Sequence, residues 1–170
     1  MNTQEAFEYF DSCDAVDINF MLGRWQGSGF PTDHPMDGLL EAYGWYGKEF
    51  ISADAVHPLL FKRGDQSPYQ LTSQGIPLGP LLKYPLTPTP LLINLTKPLK
   101  ILLHRKSSTA RLQAINYRGQ VSSSMVYDYQ PIIDHFRKVD ANNLIGVMDS
   151  KMLEQPFFFQ LHRDLSSSKL

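Results

Sequence analysis

The 170-residue chain has a single cysteine, Cys13. One thiol can neither close an internal disulfide nor supply the paired thiolates of a cysteine metal site, which fits a reducing compartment. Charge of one sign is missing as well. Lys and Arg number 16 against 17 Asp and Glu, for a formal net charge of −1. Without a basic surplus there is no electrostatic case for nucleic acid. No apolar run approaches the ~20 residues that cross a bilayer. The acidic, amphipathic start MNTQEAFEYFDSCD has none of the features of a secretory leader. The expectation is a soluble, cytoplasmic protein with no membrane span.

Catalytic and metal signatures are also absent. The histidines stand at 34, 57, 104, 135 and 162, in neither HxxxH nor HExxH spacing, so no metal site is expected. There is no G-x-S-x-G elbow around Ser122, Ser123 and Ser124, and no GxGxxG or Walker loop. With 42% hydrophobic and 19% charged residues the chain is nevertheless built to bury a core. One short address stands out. Ser168-Lys169-Leu170 behind two serines reads as a peroxisomal signal in a eukaryotic host, or as chance.

What is present is mainly β patterning. Thr3 to Ser12 places Ala6, Phe7 and Phe10 at helical spacing, with Thr3 as the expected N-cap. Ile18 to Phe30, Tyr43 to Ile51 and Val56 to Lys62 read as strands, with a helical turn at Met36 to Ala42. Seven of the twelve prolines fall between 67 and 98, which excludes regular central strands there and predicts an irregular insertion with short edge strands at 90–95 and 99–104. ARLQAINY, QVSSSMVYDY, IIDHFRKVD, LIGVMD and FFFQLHRD then follow at a spacing near ten, each ended by turn residues. That rhythm belongs to an antiparallel sandwich or barrel. One domain is expected over 1–170, in three stretches: 15–62, the proline-rich 63–105, and a meander over 110–164.

The segment LGRWQGSGFPTDHP, from Leu22, carries the sharpest signal. On a strand Gly23, Trp25, Gly27 and Gly29 share a face, so one indole sits among three vacancies. Such glycines belong where a strand bends hard or a bulky group packs on the backbone. The expectation is a barrel with Trp25 plugging one end.

GRWQG and the downstream GWYGK resemble the GXWXG family, and YRGQVSSSMVYDYQPIIDHFRKVDANNLIGVMD through QPFFFQLHRD resembles the uncharacterised domain that accompanies it. More broadly the chain is similar to calycins, the lipocalin, fatty-acid-binding and nitrobindin-like barrels. The resemblance implies an antiparallel calycin-like β-barrel with a short N-terminal helix and a proline-rich insertion. It also implies an arginine from the last strand capping the tryptophan, here Arg163, with Arg137 as fallback. A nitrobindin-like relative would hold haem through one histidine, His135 or His162. Otherwise no cofactor is called for.

The expected function is reversible binding of a small hydrophobic molecule, acyl or isoprenoid in character, with Trp25, Tyr43, Trp45, Tyr117 and Tyr127 along the wall. On the strand IIDHFRKVD, Asp134 and Phe136 share one face, and His135 and Arg137 the other. The second face is either an interior that anchors an acidic head group or an outward surface. The rival functions are haem binding and an enzyme using His135 or a tyrosine as general acid–base on a small apolar substrate. Finally, FFF at 157–159 must turn one ring outward, to be covered by the N-terminal helix or by a second copy in a homodimer.

Overall fold

A computed structural model describes residues 1–62, 67–72 and 107–168. The proposed edge strands at 90–95 and 99–104, most of the proline-rich stretch, His104 and the last two residues of the Ser-Lys-Leu end lie outside the described residues.

Among the described residues, nine antiparallel strands and three short helices run in the order α1 (Thr3–Ser12), α2 (Ile18–Met21), β1 (Gly23–Gly29), α3 (Leu39–Ala42), β2 (Trp45–Ser52), β3 (Ala55–Phe61), β4 (Tyr69–Gln70), β5 (Ala110–Tyr117), β6 (Gln120–Tyr127), β7 (Ile132–Lys138), β8 (Asn143–Ser150) and β9 (Phe157–Arg163). Neighbours run β2-β1-β9-β8-β7-β6-β5-β3, and a β2–β3 pairing closes the ring into an eight-stranded barrel, with β4 added along β3. The first strand is therefore zipped to the last, with Trp25 opposite Arg163 and Gly29 opposite Phe159.

The local reasons are visible in the sequence. Arg118 and Gly119 both take positive φ, 53° and 79°, in a two-residue hairpin of the handedness that suits twisted strands. That turn sets an eight-pair register between β5 and β6. Helix α1 is capped by Asn2 rather than Thr3. The Asn2 side chain accepts from the Glu5 amide while Glu5 reaches back to the Asn2 amide. The expected continuous strand from Ile18 is instead a single helical turn before β1, because the Asp17 carboxylate caps the Phe20 amide at 2.8 Å.

Alternation divides the apolar residues between two clusters. Trp25, Trp45, Phe50, Val56, Leu112, Met125, Tyr127, Phe136, Leu144, Phe157 and Phe159 form one buried cluster on the inside of the barrel. Ala6 and Phe10 of α1 cover Ile145, Val147 and Phe158 outside it. Phe7 meets Phe158 edge-on at 5.1 Å. The outward ring of the FFF run is thus covered by the chain's own helix.

β6 and β7 pair only from Ser124 to Val126. Beyond that point they part, and the segment before α2 fills the gap. Asp14 exchanges two backbone hydrogen bonds with Lys138, and Ser123 N–H donates to Val16 O at 2.8 Å. Ser122 Oγ accepts from the Val16 amide and donates to Phe136 O at 2.7 Å.

Candidate functional site

Trp25 is fully buried at one end of the barrel, its Nε1 donating to Met21 O at 2.8 Å. The Arg163 guanidinium lies over the indole, 4.1 Å from the ring centroid. It also donates to Leu22 O at 3.1 Å and Phe20 O at 2.9 Å. Those carbonyls terminate α2, so one side chain satisfies a helix end and stacks on the indole.

The vacancies beside Trp25 serve another ring. A Cβ on Gly27 would clash with the six-membered ring of Trp45, and one on Gly47 would strike the Trp25 carbonyl. Gly27 is bare so that Trp45 of the neighbouring strand can cross it. Gly146 does the same for Phe159.

Above this layer lies the feature that the sequence did not reveal. Strand β2 is irregular, with register shifts on both sides of Gly47. These turn Lys48 inward along with Trp45 and Phe50. The Lys48 ammonium stands 2.8 Å from Asp134 Oδ2, with only 4% and 1% of the two side chains exposed. It sits 4.9, 5.6 and 5.9 Å from the ring centroids of Phe159, Trp45 and Tyr127. It also donates to Pro58 O at 3.3 Å.

Burial pushes the Asp134 carboxyl above its usual range, against the opposing pull of Lys48 and of the Tyr127 hydroxyl. Tyr127 is itself pushed well up by burial and by the carboxylate beside it. Neither Asp134 oxygen receives a well-directed hydrogen bond, and Trp45 Nε1 and Ser123 Oγ are buried without a partner. Beside the ion pair, Asp134 Oδ1 is thus a buried acceptor and Trp45 Nε1 a buried donor without hydrogen bonds.

The other candidate residues lie elsewhere. His135 and Arg137 are on the face of β7 opposite Asp134 and Phe136, with Arg137 against Phe10 of α1. His135 stacks on Tyr117 at 3.7 Å and pairs its Nδ1 with Ser124 Oγ at 2.8 Å. Burial pushes its imidazole down to about 4. Arg137 lies 4.9 Å from the Phe10 ring centroid and donates to Tyr117 O at 2.9 Å. Tyr117 therefore belongs to the outer layer, not to the wall of the interior. Tyr43 is half-buried after α3 and packs against the core from its edge.

The two histidines considered as haem ligands are engaged elsewhere. His135 is buried against Tyr117 and Ser124, and His162 is exposed and bonded to Asn143 Oδ1 at 2.8 Å. Neither reaches the interior. Among the described residues no group of three His, Cys, Asp or Glu side chains is placed to hold a metal ion, and no helix is long and apolar enough to cross a membrane.

A groove of about 450 Å³ opens between residues 15–18 and the β5–β6 hairpin, lined by Val16, Ile18, Ala114, Val121 and Ser123 among others. Ala114, Val121 and Ser123 are on the inward-facing alternation of their strands, in line with Leu112 and Met125.

Residues 8–65 match the GXWXG protein family, and residues 108–163 match the domain of unknown function DUF4334. A crystal structure of a protein from Thermomonospora curvata is 32% identical, covers 96% of this chain and 88% of its own, and has a TM-score of 0.70. The chain belongs to the GXWXG family. No curated protein matches it. In this GXWXG protein the motif glycine Gly27 and the second motif GWYGK meet at Trp45. The two matched segments then share one barrel, β1 to β3 from the first and β5 to β9 from the second. Lys48 comes from one and Asp134 from the other.

Proposed function

We propose that the barrel holds a small, largely apolar molecule, acyl or isoprenoid in its body, whose polar end is received at Lys48, Asp134 and Tyr127. The observation that carries this reading is the buried Lys48–Asp134 pair inside an aromatic interior. A buried ion pair commonly adds nothing to stability over apolar residues of the same size. Polar groups with shifted proton affinities, set in an apolar enclosure, are instead the pattern of binding and reaction sites. Trp25 and Arg163 close one end, and the groove beside residues 15–18 offers an apolar approach to the inward face of β6.

Native mass spectrometry of freshly purified protein tests the reading. The expected result is a bound species of a few hundred daltons, of order the ligands such pockets take, released by organic solvent and lost in a Trp45→Ala variant that still folds. A purified protein that carries nothing and takes up no apolar molecule removes it.

A second reading follows from the raised carboxyl of Asp134. An acid–base enzyme would use Asp134, in place of the outward His135, to move a proton on a bound substrate. It requires turnover of a substrate that Asp134→Asn abolishes while ligand uptake persists.

A further inference from the structure

We propose that the head group received at Lys48 and Asp134 is an uncharged hydroxyl, so that the barrel selects apolar alcohols over carboxylates and amines of the same length. This rests on the interior-binding reading above and narrows it to a ligand class.

Charge comes first. Lys48 and Asp134 already neutralise one another where almost no solvent reaches. Among the described residues the deeply buried guanidinium of Arg137 lies outside the wall against Phe10, and Arg163 is committed to Trp25 and two carbonyls. A carboxylate head would therefore enter as a third, unbalanced charge, and burying an unpaired ion in such surroundings is strongly unfavourable. An ammonium head fares no better. The three rings that attract a cation are already taken by Lys48.

Hydrogen bonding points the same way. Asp134 Oδ2 faces the Lys48 ammonium at 2.8 Å, but Oδ1, an acceptor, and Trp45 Nε1, a donor, are buried without a hydrogen-bond partner. A hydroxyl both donates and accepts, so a single small group answers either or both. A ketone or ester, which only accepts, leaves Asp134 Oδ1 without a donor, and a carboxylate ligand repels it. Either buried group left unsatisfied forfeits the hydrogen bonds it made to water.

Calorimetric titration of the full chain with decan-1-ol, decanoate and decylammonium near neutral pH reads the preference directly. Decan-1-ol should bind at least about tenfold more tightly than either ion. In Asp134→Asn, where Lys48 is left unmatched, decanoate should gain at least about tenfold relative to the alcohol. Trp45→Phe keeps a ring and lacks the N–H, and should weaken decan-1-ol several-fold with little effect on decanoate. Circular dichroism reports whether each variant folds, and the native-protein ranking stands even if one does not. Decanoate or decylammonium binding as tightly as the alcohol overturns the hydroxyl preference and leaves interior binding intact. Uptake of none of the three overturns interior binding itself, and the preference with it.

Discussion

At the scale of single residues the barrel turns on Lys48. Strict alternation along WYGKEF puts Trp45, Gly47 and Glu49 on one face and Lys48 on the other. The irregularity at Gly47 breaks that count and sends Lys48 and Phe50 inward beside Trp45. Parity reasoning therefore could not find the ion pair, although it placed Asp134 and Phe136 together. Lys48→Met should strand the Asp134 carboxylate and cost about 3–5 kcal/mol in urea unfolding. Lys48→Met combined with Asp134→Leu should be neutral or more stable than the native chain. A double variant as weak as the single one means the pair is a structural prop. Gly27 supplies a second check. Its purpose as a vacancy was legible in the sequence, but its occupant was not, because Trp45 arrives from another strand. Gly27→Ala should overpack that ring and cost about 1–3 kcal/mol by the same measurement.

Among the elements, β7 separates two environments. Its inward residues meet Lys48 and the core. Its outward residues, His135 and Arg137, are packed against Tyr117 and Phe10. His135 is held neutral, its pKa lowered from 6.5 to about 4 by burial first, with Arg137 acting in the same direction and Asp149 opposing it. The unfolded chain therefore takes up a proton that the folded one resists between those values. Stability from this group is complete above pH 6.5 and is lost as pH falls towards about 4. The span corresponds to about 3 kcal/mol. Thermal unfolding followed from neutral pH downward should show this slope, and His135→Gln should flatten it. His34 and His57 are lowered in the same sense by burial, so a residual slope remains.

The strands of the second half were readable because each ends in residues that favour turns, Arg118-Gly119 being the clearest. Helix α2 was not. Four apolar residues hold too little periodicity to separate a helical turn from the start of a strand, and only the cap at Asp17 decides it.

For the whole molecule, the ring order joins the two matched segments at both ends, through β1–β9 and β3–β5. Neither set of strands makes a closed wall by itself. Urea unfolding should accordingly be one transition, with the far-UV signal and the fluorescence of Trp25 and Trp45 changing together. Two separated transitions would show segments that stand independently. The seams are unequal. β7 and β8 share seven paired positions, whereas β3 and β5 share one, Val56 with Ala110. Amide exchange should therefore be fastest along β3–β5 and slowest along β7–β8.

The pairing of the first strand with the last also governs how the protein comes into being. During synthesis β1 emerges early, yet its partner β9 leaves the ribosome more than 120 residues later. Until then the hydrogen-bonding edge of β1 is unclaimed, and the cleft between β6 and β7 cannot receive residues 14–16 before both strands exist. The nascent chain must carry an unpaired edge and a row of aromatic side chains for nearly its whole length. It is in that interval, rather than once the circle has shut, that the protein is most exposed to sticking to its neighbours.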